Sequence, residues 1–468
     1  MATRRIVLAA LAGLMAIQVL RPGDIPFLND EPNLIGSALV ANQGGRLAEK
    51  GLVGSFGLAY APVCVWIYQA LLLVTRDIVS LAAIKIALVW LAVWIAVARL
   101  AVRTGLSPWP LLLIPLSPYL AFFQRLLWDN VFLIPVSIGM VAVLAGFLVR
   151  PSVRAFTVWA ALAVLAFHVH VLGAVPIAAC ALTLFVFRRD WLLEQRGKVA
   201  VVLVAALLVS ARFLYAIVAE RGEAGHAHPA FAHSLEGTTE AFLLWSHAGF
   251  EFFVPAFYRD LPGGHFLQVI PGWLAFLAGV AALAGFLVES ARRRLPLRDW
   301  PLDRQLAFLA VAMLLLQVAL LLVLRLEPLW HYFNGVWFAT FYVLWWGFDR
   351  VRLHLWARAL LLLQIATVGA LTFLLAQHVH AHHGDRNQAY GATLANQLDV
   401  ARAVVARRPK SIERRVANYA QFPHALQVLV LLEADRTHTQ LDVTPERAVV
   451  QYTGTSPDDG AIGIEFER

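Results

Sequence analysis

Two adjacent carboxylates, Asp30 and Glu31, stand in the segment Phe27-Leu28-Asn29-Asp30-Glu31-Pro32-Asn33, with Pro26 just ahead of it. Proline fixes its own backbone and restricts the residue before it, so this segment can present one carboxylate rigidly. A carboxylate held that way can serve as general base for an acceptor hydroxyl or amine. A solvated acidic turn is the plainer reading of the same residues. The second cluster is Gln124-Arg125-Leu126-Leu127-Trp128-Asp129-Asn130. Arg125 and Asp129 are four apart, a spacing that pairs them on one helix face. Arg125 is a candidate to hold a phosphate, and Asp129 to orient an acceptor, a cation or a neighbouring side chain. The third cluster is His168-Val169-His170. Residues two apart lie on opposite sides of a helix, so these two can chelate a metal only from an extended turn, with Asp129 or Asp30 completing the set. Hydrogen bonding to a substrate or to Asp129 is the alternative. No cofactor is fixed by these residues, although a divalent metal is compatible with them.

Three cations join these groups. Lys85 lies inside an apolar run, and Arg212 and Arg325 lie near the ends of two others. Each can snorkel its charge to water, but together they can form a cationic pocket for a lipid phosphate. The segment 220–265 adds His226, His228, His233 and Glu251 among Trp245, Phe250, Phe252, Phe253 and Tyr258. An aromatic loop of this kind often covers a binding cavity. Glu327 and His331-Tyr332 form the last cluster.

The elements that must position these residues follow from composition. Of 468 residues, 60% are hydrophobic and 15% charged, against roughly 45–50% and about 25% in soluble domains. Mean hydropathy is +0.68. A bilayer absorbs such an excess. The formal net charge of +8 sits in short basic clusters between apolar runs, which sets membrane orientation and gives no nucleic-acid surface. The two cysteines, Cys64 and Cys180, lie in apolar stretches and predict neither a disulfide framework nor a zinc site. Apolar runs at 6–21, 78–100, 109–125, 130–149, 155–170, 172–187, 198–219, 266–288, 305–325, 332–348 and 355–377 predict about eleven membrane-crossing helices. The first is read as an uncleaved helix, and 57–75 as an interfacial or re-entrant one.

With the N-terminus cytoplasmic, the connections 99–106, 150–154, 188–198, 292–304 and 350–352 all fall inside, and each carries Arg or Lys. The acidic and histidine clusters then share the extracytoplasmic face. The charged tail, 378–468, reads as a small extracytoplasmic α/β domain. It is expected to hold helices over 387–407 and within 411–433, and strands near 447–452 and 462–466. Residues 1–377 form the membrane domain.

These residues resemble the GT-C superfamily of polyprenyl-phosphate-dependent glycosyltransferases, and more narrowly the branch of protein O-mannosyltransferases and lipid A aminoarabinose transferase. Five features carry the likeness: the Asp30-Glu31 pair; Tyr60-Ala61-Pro62-Val63-Cys64-Val65-Trp66, where the family has a Pro-Pro-Leu-Tyr-Tyr-like segment; Lys85, where many members carry Arg; Ser117-Pro118-Tyr119 followed by Arg125 and Asp129; and His170 with His331-Tyr332. One proline instead of two near Pro62, and Trp128 before Asp129, are departures. The resemblance implies a GT-C-like fold with interfacial helices in the first outer loop, in the plasma (inner) membrane of a cell envelope. It implies sugar transfer at a periplasmic active site from a polyprenyl-phosphate donor to an acceptor that is a protein, a lipid or a glycan. Asp30 would be the base, Glu31 the alternative base, and Asp129 with Arg125 the orienting group. Lys85, Arg212 or Arg325 would stabilise the departing phosphate. A transporter or flippase of a lipid-linked sugar needs polar groups near the midplane, where this chain is apolar. A non-catalytic subunit of a membrane complex would not need Asp30, Asp129 and His170 on one side.

Overall fold

The structure, a computed structural model, describes all residues except 1, 29, 55–58, 220–253, 262–263, 293–295, 325–329, 387–389, 417–421, 441–443, 455–458 and 468. Helices dominate. They are α1 (Ala2–Ile17), α2 (Asp30–Gln43), α3 (Val63–Val74), α4 (Ile78–Thr104), α5 (Leu113–Leu116), α6 (Pro118–Phe123), α7 (Leu133–Val149), α8 (Val153–Val169) and α9 (Ala174–Glu194). Then come α10 (Arg196–Ala219), α11 (Pro255–Asp260), α12 (Gly264–Arg292), α13 (Leu302–Leu324), α14 (Trp337–Val351) and α15 (Leu355–Ala381).

Seven of the described helical segments are long and apolar enough to cross a membrane: α4, α7, α9, α10, α12, α13 and α15. The chain is therefore a multi-pass membrane protein. Helices α1, α8 and α14, with 16, 17 and 15 residues, are shorter. The run 109–125, expected as one crossing, is instead a 3-10 turn (Trp109–Leu112) followed by α5 and α6. Its prolines explain the break. Pro108, Pro110, Pro115 and Pro118 each remove a backbone donor and bias the preceding residue away from helix. Ser117 is extended and caps α6 through Leu120 N. Helix α3 has 12 residues, a length of about 18 Å. That is too short for a core of about 30 Å. Its neighbour α2 packs along it, so two short helices lie in the first loop.

Local signals fix the longer helices. Asp77 caps α4 by accepting from Ser80 N at 2.8 Å, and Gly105, at φ +72°, ends it in the left-handed conformation glycine tolerates. Ser152 caps α8 through Ala155 N at 3.2 Å. Helix α7 packs between α4 and α8, α9 lies against α13, and α14 lies between α12 and α13. On α10, Val201, Val204, Leu207, Leu208 and Val209 are exposed. An apolar face of that kind is stable only against lipid.

Beyond α15, two short strands, β1 (Gly384–Asp385) and β2 (Gly391–Ala392), pair antiparallel. They are followed by α16 (Leu394–Arg407), β3 (Pro409–Arg415), α17 (Phe422–Thr437), β4 (Thr444–Tyr452) and β5 (Ile462–Glu467). The stretch 411–433, expected to hold a helix within it, opens as strand β3 before α17 begins at Phe422. Strand β4 is central, parallel to β3 and antiparallel to β5. Its Ala448, Val449 and Val450 are fully buried. The parallel pairing needs a crossover, which α17 supplies while packing on α2. Arg76 pairs with Asp435 across the same junction.

Candidate functional site

The candidate site lies where several elements begin or end together. Asp30 opens α2, where the positive end of the helix dipole favours a carboxylate. The loop before it is held by the C-terminal unit. Leu394 N donates to Ile25 O at 2.7 Å, Ala395 N to Gly23 O at 3.0 Å, and the Tyr390 hydroxyl to Asp24 O at 3.0 Å. His380 Nδ1 lies 2.8 Å from the Asp24 carboxylate. The tail thus fixes the segment that delivers Asp30.

Asp129 ends the turn after α6. Its Oδ1 accepts from Asn130 N at 2.6 Å and starts the 3-10 turn that leads into α7. Next to it, Asn334 Nδ2 donates to Asn130 Oδ1 at 3.1 Å, and Tyr119 donates to Asn334 Oδ1. All three side chains are buried. This network ties the Asp129 loop to the 3-10 turn Trp330–Phe333, which holds His331 and Tyr332 ahead of α14. The expected 332–348 helix starts only at Trp337, which leaves those two side chains on the turn.

His170 follows the last residue of α8 with an extended backbone. Its Nδ1 accepts from Leu172 N at 3.2 Å, and its Nε2 lies 3.1 Å from the Tyr60 hydroxyl. An imidazole that accepts at Nδ1 carries its proton on Nε2. His170 therefore donates to Tyr60 Oη, and the Tyr60 proton is left to point elsewhere. Tyr60 belongs to a hairpin in which Gly51 N donates to Tyr60 O at 2.8 Å and Tyr60 N to Leu52 O at 2.7 Å. A side chain in place of Gly54 would overlap the Tyr60 ring.

These pieces enclose one cavity of about 210 Å³, lined by Asp30, Leu52, Val53, Gly54, Tyr60, Trp128, Asp129, His170, Leu172, His331 and Tyr332. Sites for drug-sized ligands start at about 300 Å³. This cavity suits the reacting end of a larger molecule.

Its electrostatics separate the two carboxylates. Burial, with the charge of Asp30 added, pushes Asp129 up to about 8, against the pull of the Asn130 N–H. Burial also raises Asp30, but a hydrogen bond from Trp128 holds it down. At neutral pH Asp129 keeps its proton, while the indole bond favours the charged form of Asp30. Burial, with His170 near, lowers His331 to about 3, so its ring is neutral. The Trp128 ring lies against that imidazole at 4.7 Å between centroids.

The other candidates sit elsewhere. Glu31 is buried behind Asp30, and burial raises its carboxyl well above the usual range. Lys85 is buried too. Its Nζ donates to Gln124 O at 2.8 Å and Leu126 O at 2.6 Å, which braces the Asp129 loop from behind. Arg125 does not pair with Asp129, because no helix joins them. It donates to Arg21 O at 2.5 Å and Leu20 O at 3.4 Å on another face. His168 packs edge-on against Phe213 at 5.7 Å, apart from His170. Arg212 is exposed on α10. Arg325, Glu327, His226, His228, His233, Glu251, Trp245, Phe250, Phe252 and Phe253 lie outside the described residues. Tyr258 is buried on α11, outside the cavity lining. Among the described residues no group of three or more His, Cys, Asp or Glu side chains is placed to hold a metal ion. Tyr60, Trp128 and Asn334 were not among the residues expected to form the site. Tyr60 and Trp128 stand inside motifs already noted, whereas nothing near Asn334 in the sequence marks it.

No family model and no curated protein matches the chain. It is similar to the crystal structure of ArnT from Cupriavidus metallidurans bound to undecaprenyl phosphate, with 15% sequence identity, 96% of this chain and 92% of that chain covered, and a TM-score of 0.42.

Proposed function

We propose that the chain is a membrane glycosyltransferase of GT-C type, moving a sugar from a polyprenyl phosphate to an acceptor at the extracytoplasmic face. The reading rests on one observation: Asp30, Asp129, Tyr60, His170, His331 and Tyr332 line a single cavity at the ends of apolar helices. A lipid donor keeps its tail in the bilayer while its phosphate and sugar reach that edge.

Asp30 takes the proton from the acceptor hydroxyl or amine as that atom attacks the anomeric carbon. The bond from the anomeric carbon to the phosphate oxygen breaks, and polyprenyl phosphate leaves with the electron pair. Protonated Asp129 donates a hydrogen bond that orients the incoming group. Tyr60, its oxygen already taken by His170, donates its own proton in a hydrogen bond to the phosphate. Lys85 serves this site by holding the Asp129 loop. Arg325, six residues before His331 in sequence, remains the candidate cation for the departing charge.

The test is sugar transfer from a radiolabelled polyprenyl-phosphate sugar in proteoliposomes. Asp30→Asn should cut transfer by about 10³-fold while leaving membrane insertion intact. Full activity of that variant removes Asp30 as base.

A further inference from the structure

At the other end of α4, α7 and α8, Arg99, Arg103, Arg150 and Arg154 line a second cavity of about 520 Å³, together with Ser152 and Gly146. No ion pair to any of these four arginines is found among the described residues. Two arginines at the 350–352 connection behave differently. Arg350 meets Asp303 at 2.7 Å, and Arg352 meets Asp349 at 3.0 Å. A basic cluster serving only to orient the chain has no need of a shared hollow, and these four surround one.

The hollow continues into an apolar groove of about 510 Å³ between α4, α7 and α8, and the two share Arg99, Ala142, Val143 and Val158. From Arg99 the groove reaches Lys85, fourteen residues of α4 and about 21 Å away. Its walls are aliphatic, with Val89, Ile95, Val136 and Leu162 among them. Gly139 leaves one wall open, and a side chain in place of Gly146 would meet the Arg103 guanidinium at 2.8 Å. Arg103 also donates to Ala142 O at 2.7 Å, which pins it across α7.

We infer that this groove binds an anionic phospholipid of the surrounding bilayer, its headgroup phosphate among Arg99, Arg103, Arg150 and Arg154 and an acyl chain along α4, α7 and α8. Guanidinium groups grip phosphate oxygens bidentately, and basic pockets between membrane helices recognise anionic headgroups. A polyprenyl phosphate is the other source of such a phosphate. In the proposed reaction that phosphate is at the Asp30 cavity, at the opposite end of the same helices. The inference does not depend on that reaction, because the arginine cavity and groove are independent of it.

Native mass spectrometry of the full-length protein in detergent tests this, with phosphatidylglycerol, phosphatidylcholine and a polyprenyl phosphate added separately as probes. Phosphatidylglycerol should be retained well above phosphatidylcholine. The triple variant Arg99→Gln, Arg150→Gln, Arg154→Gln should bind it roughly a hundredfold more weakly. Arg103 stays, because its bond to Ala142 holds α4 to α7. The triple lysine variant, which keeps the charges, should retain most binding and shows that the helices still fold. Arg292→Gln, an exposed arginine outside the groove, should change nothing. Equal retention of both phospholipids, an unaffected glutamine variant, or an equal loss with Arg292→Gln would overturn the inference. So would polyprenyl phosphate displacing phosphatidylglycerol from the wild type.

Discussion

The two ends of the α4–α7–α8 bundle are built from opposite materials. At one end, carboxylates, imidazoles and phenols turn inward around an enclosed cavity of about 210 Å³. At the other, four exposed arginines rim a hollow of about 520 Å³ that runs on into an apolar groove. Burial at the first end shifts proton affinities, with Asp129 near 8 and His331 near 3. Groups displaced that far from their ordinary values suit proton transfer. The arginines at the second end offer guanidinium forks suited to holding an anion. One end is suited to reacting with a ligand, the other to keeping one.

The sharpest way to break that contrast is to strike each end alone. Asp30→Asn should reduce sugar transfer by about 10³-fold, within the usual range for a general base. The same variant should retain phosphatidylglycerol as the wild type does. A parallel measurement of transfer rate and lipid retention checks both. If Asp30→Asn also lost the lipid, the two ends would not be separate sites.

The next effect concerns what holds the reactive end in shape. Asn334→Leu removes a buried side chain that accepts from Tyr119 and donates to Asn130. It should cost about 1–3 kcal/mol of stability, as expected for buried polar groups left unpaired. Transfer should fall with it, because Asp129 and His331 sit on the two loops this residue joins. Thermal unfolding in detergent and the transfer rate are the measurements. A variant with full activity and unchanged stability would show that the network positions nothing.

Asn334 also marks the limit of what the sequence conveys. Hydropathy located most of the long helices within a few residues, because a bilayer leaves few alternatives to apolar runs of the right length. It failed at 109–125, where Pro110, Pro115 and Pro118, with Pro108 just ahead, outweigh the hydrophobic signal. The order of motifs named Asp30, Asp129, His170, His331 and Tyr332, which the fold places around one cavity. Spacing suggested a pair between Arg125 and Asp129, but a four-residue interval implies a pair only on an unbroken helix, and α6 ends at Phe123. Spacing says nothing of backbone carbonyls 39 and 41 residues away that take the Lys85 ammonium. Asn334 was invisible for the same reason, its partners being 204 and 215 residues distant.

A smaller effect follows from the proton on Asp129. Its folded-state value near 8 lies above the unfolded value of about 3.9. The folded protein therefore binds one more proton than the unfolded chain between those limits, and stability falls as pH rises through them. Asp129→Asn removes that dependence. The variant should unfold at a temperature closer to constant between pH 5 and about 8, and should be more stable than the wild type at the alkaline end. Thermal unfolding across that range checks it. An unchanged slope in the variant would mean that Asp129 is ionised throughout.

The finest distinction lies in Trp128, whose indole hydrogen-bonds Asp30 and not Asp129. Burial raises both carboxyls, yet only Asp30 takes a hydrogen bond from the indole, and that bond favours its charged form. Trp128→Phe keeps an aromatic ring against His331 and removes only the donor. With the bond gone, the Asp30 value must rise, so a higher pH is needed to ionise the base. The acidic limb of the pH–rate profile should therefore move to higher pH, with little change in the plateau rate. A move to lower pH would mean that the indole stabilises the protonated carboxyl. No movement at all would mean that the limb reports another group, and Asp30 would lose its place as the base.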